Sequence, residues 1–244
     1  MNIVLFIHGK ASAGKDYFVK SLKYYMYLHK AEYFSEPEKR QDIKNLFTDK
    51  PSCFDVFEIV KMPFADEVRK ELCQIDPKVN YERLCSDYEY KTQYRKQLVE
   101  IGDGYRKERP DIWIEKHFEA LKDFNTVFQD KIICVPDMRY HTNDLGSEWD
   151  YSKEVCKLLD ILSFRVKINC PVLTRLERMS PEAIKAYTAH GMFNASETGM
   201  DHVPDNEFDF VLDNSQNFKT RKFPSDFTKL SWQIIELHDK IKAV

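Results

Sequence analysis

The chain is poor in several features, and each shortage closes off a class of protein. It has only seven glycines in 244 residues, so two glycines falling in one short loop carry unusual weight. No apolar run approaches the ~20 residues needed to span a bilayer. The N-terminal one, Ile3–Ile7, reads as a strand rather than a targeting segment. Cys53, Cys73, Cys85, Cys134, Cys156 and Cys170 contain no C-x-x-C pair, the usage of reduced, mostly buried thiols in a cytosolic setting. The histidines are scattered without metal-ligand spacing, and no Ser-His-Asp arrangement is apparent. Repeats, heptads and low-complexity tracts are missing too. A net charge of −3 argues against a general nucleic-acid coat, while leaving room for a local basic cleft. These absences set the expectation of a soluble cytoplasmic protein whose partners include neither a nucleic-acid polymer nor a membrane.

What is present is ordinary globular composition, 43% hydrophobic and 32% charged, in a length that suits one sizeable core. Strand-like runs at 3–7, 54–62, 131–136, 163–170 and 208–214 alternate with helix-like stretches. The helices are expected at 15–30, 63–75, 152–162 and 226–242, with two or three more within 81–123. Residues 31–53, charged and holding two prolines, read as a connecting excursion. Such alternation predicts an α/β fold with a parallel sheet covered by helices on both faces.

The most informative stretch is "NIVLFIHGKASAGKDYFVKSL", residues 2–21. A buried strand runs into Gly9-Lys10-Ala11-Ser12-Ala13-Gly14-Lys15 and then a helix. Successive backbone N–H groups in such a loop form an anion nest, reinforced by the positive end of the helix. The glycines permit the close backbone approach, and Lys15 would neutralise phosphate oxygens as charge shifts in a transition state. Asp16 stands where this pattern ordinarily has Ser or Thr. A carboxylate there can hold magnesium directly or through water, or cap the first turn of the helix, and the two roles are compatible.

The loop ending Gly-Lys-Asp resembles two related groups of small-molecule kinases: the bacteriophage-type deoxynucleoside monophosphate kinases and the animal-type phosphomevalonate kinases. "PFADEVRKEL" (63–72), "YRKQLVEIGDGYRKERPDIWIEKHF" (94–118), "VPDMR" (135–139), "SETGMDH" (196–202) and "FDFVLDN" (208–214) follow in the phage-type order. The Phe-Ala-Asp helix, the Pro-Asp-x-Trp and the Ser-Glu-Thr favour the nucleotide enzymes over the isoprenoid ones. Two departures stand out. Asn143, with Asp144 beyond it, replaces an acidic residue that commonly follows the Asp-x-Arg, and the 31–57 excursion has no counterpart.

The resemblance implies a three-layer phosphate-loop NTPase fold of nucleoside monophosphate kinase type, in one domain spanning 1–244. Its core would be 1–30, 54–80, 130–170 and 205–244, with an acceptor-binding helical part at about 81–125 and a lid at about 171–200. The implied reaction is phosphorylation of deoxynucleoside 5′-monophosphates by ATP and Mg2+, in a bacteriophage setting if the chain is viral. Gly9, Ala11, Ser12, Ala13, Gly14, Lys15, Asp16, Arg175 and Arg178 would hold the ATP. Arg95, Lys96, Trp113, Arg139 and Glu197 would hold the acceptor, with Lys15, Asp137 and Arg139 at the reacting phosphate and Asp16 and Asp137 at the metal. Trp113 has two readings, a stacking platform for a base or a core anchor. Phosphomevalonate kinase and a nucleotide-binding switch without acceptor are the alternative functions, and a homodimer is left open.

Overall fold

The computed structural model describes residues 1–34, 58–139, 147–188, 195–215 and 223–243. Asn143, Asp144 and residues 35–57 of the excursion lie outside them, as does the first part of the 54–62 strand.

Strand β1 (Ile3–His8) is buried along its whole length and leads through the glycine loop into helix α1 (Lys15–Phe34). After β2 (Ile59–Lys61) come α2 (Ala65–Ile75), α3 (Tyr81–Ser86), α4 (Tyr88–Gln93), α5 (Arg95–Glu108) and α6 (Ile112–Val127). Then β3 (Ile132–Val135), α7 (Glu148–Leu159), β4 (Leu162–Asn169) and the short α8 (Val172–Glu177), α9 (Pro181–Ala186) and α10 (Ala195–Thr198) follow. Strand β5 (Phe210–Asp213) and α11 (Ser225–Lys242) complete the chain. Where two or three helices were expected between 81 and 123, there are four. Asn80 caps the first of them by accepting the Arg83 amide, and a break follows at Asp87, which accepts the Tyr90 amide and so starts the second.

Among the described residues the sheet has five strands in the order β2-β3-β1-β4-β5, and every pairing is parallel. Alternation along β1 assigns its side chains to two layers. Ile3, Leu5 and Ile7 pack with Phe18, Leu22 and Met26 of α1 and Phe227, Leu230 and Ile234 of α11. Val4 and Phe6 face the opposite layer, with Leu121 of α6, Trp149 and Val155 of α7, and Phe208. The result is the three-layer phosphate-loop architecture expected from the sequence, with β1 central and its carboxyl end opening into the loop. A separate small cluster of Leu72, Val79, Leu84 and Tyr90 holds the helical part together. Among the described residues, no helix is long and apolar enough to cross a membrane.

Candidate active site

The loop is shaped by close packing on every side. Ser12 has φ 58° and Gly14 has φ 104°, conformations that curl successive amides into a concave nest. A Cβ at Gly9 would come within 3.1 Å of the Ile168 carbonyl oxygen, and one at Gly14 would run into the side-chain amide of Asn214. Asn214 is fully buried at the end of β5 and donates to the Ala13 carbonyl at 2.7 Å. Ala13 N–H in turn bonds the Lys10 carbonyl at 3.0 Å.

Lys15 is 9% exposed and donates to the carbonyls of Gly9 and, at 3.1 Å, Lys10, so its ammonium is tied across the mouth of the nest. Burial, reinforced by Arg139, lowers its pKa to about 8. Asp16, at the start of α1, is largely exposed and pairs with Lys61. Burial opposes its ionisation, yet the Lys61 ion pair and hydrogen bond hold its carboxyl below the ordinary value. A single carboxylate at the edge of a phosphate nest suits magnesium, which takes one or two carboxylates plus phosphate and water rather than a protein cage. Among the described residues no three His, Cys, Asp or Glu side chains form such a cage.

Arg175, Arg178, Arg139 and Glu197 converge on the same loop. Arg175 is 5% exposed and donates to Ala11 O at 3.3 Å and to the Tyr187 hydroxyl at 2.7 Å. Arg178 donates to Ser12 O at 3.3 Å and to Asn214 O at 2.9 Å. Glu197 accepts the Ala11 amide at 2.8 Å and faces Arg139 Nη1 at 3.2 Å. The backbone N–H of Arg139 is held by Glu148 at 2.6 Å, and Arg106 lies 3.7 Å from that same carboxylate. Glu148 is 2% exposed, and burial pushes its carboxyl up to about 7 despite the two arginines.

Asp137 does more structural work than expected. Its two oxygens accept the amides of Phe64 and Ala65, both at 2.9 Å, and thereby cap α2. Each oxygen keeps one further lone pair.

Three residues expected at the acceptor are not brought to the loop. Trp113 is 1% exposed, donates its indole N–H to Gly102 O at 2.9 Å and packs edge-on against Tyr105. Its ring is consumed in α5–α6 packing, so it is the core anchor and not a base platform. Arg95 is exposed on the first turn of α5, and Lys96, 87% exposed, pairs only loosely with Glu100 at 3.7 Å. One turn of helix places them on the outer surface.

The cations grouped with the carboxylates of Asp16, Asp66, Asp137 and Glu148 are instead Lys61, Arg69, Lys91 and Arg106. Burial together with neighbouring Arg69 and Lys61 lowers the pKa of Lys91, which also feels Asp16 and Asp137. Arg69 pairs with Asp66, and its buried Nε has no hydrogen-bond partner. Arg69 had a sequence signal, standing three residues after Asp66 and so on one helix face with it. Lys91 had none, being one lysine among many in a charged stretch. Tyr187 owes its role to long-range packing and was equally hidden, whereas Asn214 ends the FDFVLDN block that carried part of the resemblance.

No protein-family model matches the chain, and no curated protein matches it. Among solved structures the chain is similar to a protein from Chloroflexus aurantiacus J-10-fl whose kinase assignment is itself provisional. Identity is 8% and the TM-score is 0.43, over 98% of this chain and 97% of that one. At that score the likeness carries nothing about what this chain does.

Proposed function

We propose that the chain is a kinase that transfers the γ-phosphoryl of ATP to a deoxynucleoside 5′-monophosphate. The observation that carries this reading is the convergence of Lys15, Arg139, Arg175 and Arg178 on one glycine nest between β1 and α1. Phosphoryl transfer needs positioning and neutralisation of charge spread over the phosphate oxygens, and little covalent chemistry from the protein. Backbone amides and Lys15 hold the donor phosphates. Arg175 and Arg178, in the segment 171–200 acting as a lid, close over them and exclude water. Asp16, the carboxylate nearest the nest, and Asp137, through water, would hold a magnesium ion, which would supply further positive charge to neutralise the donor phosphates. Arg139 and the inward cations Arg69, Lys91 and Arg106 grip the acceptor phosphate, and the helices 81–125 form its binding part. Tyr81, half-buried beside Asp66 and Arg69, supplies the flat ring that Trp113 does not.

One observation favours the second reading, phosphomevalonate kinase. The acceptor side carries more committed cations than one phosphate requires, and an acceptor with an additional carboxylate would use them. An assay of ADP release with each deoxynucleoside monophosphate, each ribonucleotide and phosphomevalonate separates the two. Turnover of a deoxynucleotide is expected; turnover of phosphomevalonate alone would replace the first reading by the second.

A further inference from the structure

Glu197 occupies a peculiar position for an acidic residue. It is 6% exposed, and its carboxylate accepts the Ala11 amide at 2.8 Å, an N–H of the anion nest itself. The same carboxylate meets Arg139 at 3.2 Å and lies within electrostatic reach of Lys15. The Tyr187 hydroxyl stands 3.5 Å from it and is itself held by Arg175, which also bonds the Ala11 carbonyl. Both polar groups of Ala11 are therefore engaged by residues of the 171–200 segment. An amide of the nest, an arginine and the loop lysine are the groups that would surround the terminal phosphate of a bound triphosphate.

We infer that Glu197 holds the place of the γ-phosphate and makes the site sense whether a triphosphate or a diphosphate is bound, an inference that rests on reading the loop as an ATP site. The first two phosphates need the amides at the start of α1, which lack intrahelical partners by geometry, and these leave Glu197 where it is. A third phosphate brings a second anion to Ala11 N–H and Arg139. Like charges at contact distance repel, so the carboxylate must swing out. Its departure breaks the Arg139 pair and lets that guanidinium turn toward the acceptor phosphate. Triphosphate thus strengthens acceptor binding and diphosphate does not. After transfer, Glu197 returns to Arg139, which favours release of the newly made product. The effect is a population shift, set by the differential affinity of the ligand for the two carboxylate positions.

Calorimetric titration with magnesium and either ADP or the β,γ-imido analogue of ATP tests this in wild type, Glu197→Gln and Tyr187→Phe. Gln keeps the size and an acceptor for Ala11 N–H while removing the charge. It is expected to tighten the analogue about tenfold, between the limits for a contact charge pair in water and near a protein surface, and to change ADP less than twofold. Tyr187→Phe, which removes the hydroxyl that steadies the pair without touching the loop, should shift the ratio the same way by a smaller factor. An unchanged ratio in both variants, or weaker analogue binding in Glu197→Gln, overturns the inference while leaving the ATP site standing. If wild type binds neither nucleotide, the phosphate-loop reading itself fails and takes the inference with it.

Discussion

The two sides of the cleft are built by different means. On the proposed donor side, the cations are tied to carbonyls: Lys15 to Gly9 and Lys10, Arg175 to Ala11, Arg178 to Ser12 and Asn214. On the acceptor side, the cations are paired with carboxylates instead: Arg69 with Asp66, Arg106 with Glu148, Lys61 with Asp16. A carbonyl-tied cation keeps its full charge for a ligand. A carboxylate-paired cation gives up part of it until the carboxylate is displaced. On the proposed reading, the donor side is preorganised, and the acceptor side would have to rearrange its pairs to bind.

The sharpest way to break this contrast is at Lys15. Lys15→Ala removes a fixed charge from where phosphate charge develops and is expected to lower turnover by at least about two orders of magnitude. The circular dichroism spectrum should be unchanged, since the sheet and α1 keep their core. Near-normal turnover in a folded variant would remove the distinction between the two sides.

Smaller effects are expected across the cleft. Arg69→Ala and Lys91→Ala should each raise the acceptor KM about tenfold, as loss of a charge-assisted phosphate contact does. Both should leave the ATP KM within about twofold. Arg95→Ala and Lys96→Ala, on the outer surface, should move neither constant by more than about twofold. Initial-rate kinetics with each substrate varied in turn decides this, and an acceptor defect confined to Arg95 and Lys96 would reverse the assignment.

Asp16 lies where the sides meet. If its carboxylate serves the metal, Asp16→Asn should raise the magnesium concentration for half activity several-fold. As a helix cap alone, Asn would be nearly neutral, because the two cap about equally well. A magnesium titration that does not move leaves only the cap.

A separate effect is expected on stability. Glu148, buried between Arg106 and the Arg139 amide, has its pKa raised from 4.5 to about 7. The folded state therefore binds more protons than the unfolded state between those values, so this contribution is full below about 4.5 and is lost as pH rises through about 7. Its size is about 3 kcal/mol at most. Buried His8, lowered to about 4 by desolvation, acts oppositely, destabilising the fold as pH falls through about 6.5 to 4. The readout is therefore the difference between wild type and Glu148→Gln in urea midpoints from pH 5 to 8. That difference should shift in favour of the variant as pH rises.

The sequence revealed the sides unequally for the same reason. A strand, two glycines at a fixed interval, a lysine and a helix are local features, so the nest and the order of the core could be read directly. Even the Asp137–Arg139 pair emerged from the end of a buried strand. The acceptor side depends on which of many charged residues turn inward across α2, α4 and α5. Arg95 and Lys96 were in the densest basic stretch, but helix phase put them outside, while Lys91 in α4 faced Asp16. Trp113 was drawn into the core, where the Gly102 carbonyl receives its indole N–H. The capping role of Asp137 and the hold of Glu197 on Ala11 span 72 and 186 residues of chain, beyond the reach of any local pattern.

The most direct test of the central claim follows the phosphoryl group itself. ATP labelled in the γ-position is incubated with magnesium and each deoxynucleoside monophosphate, with wild type and Lys15→Ala side by side, and the products are separated. The account expects label in a deoxynucleoside diphosphate with wild type and at least about a hundredfold less with the variant. Label that stays in ATP or passes only to water, whichever deoxynucleotide is present, would contradict it.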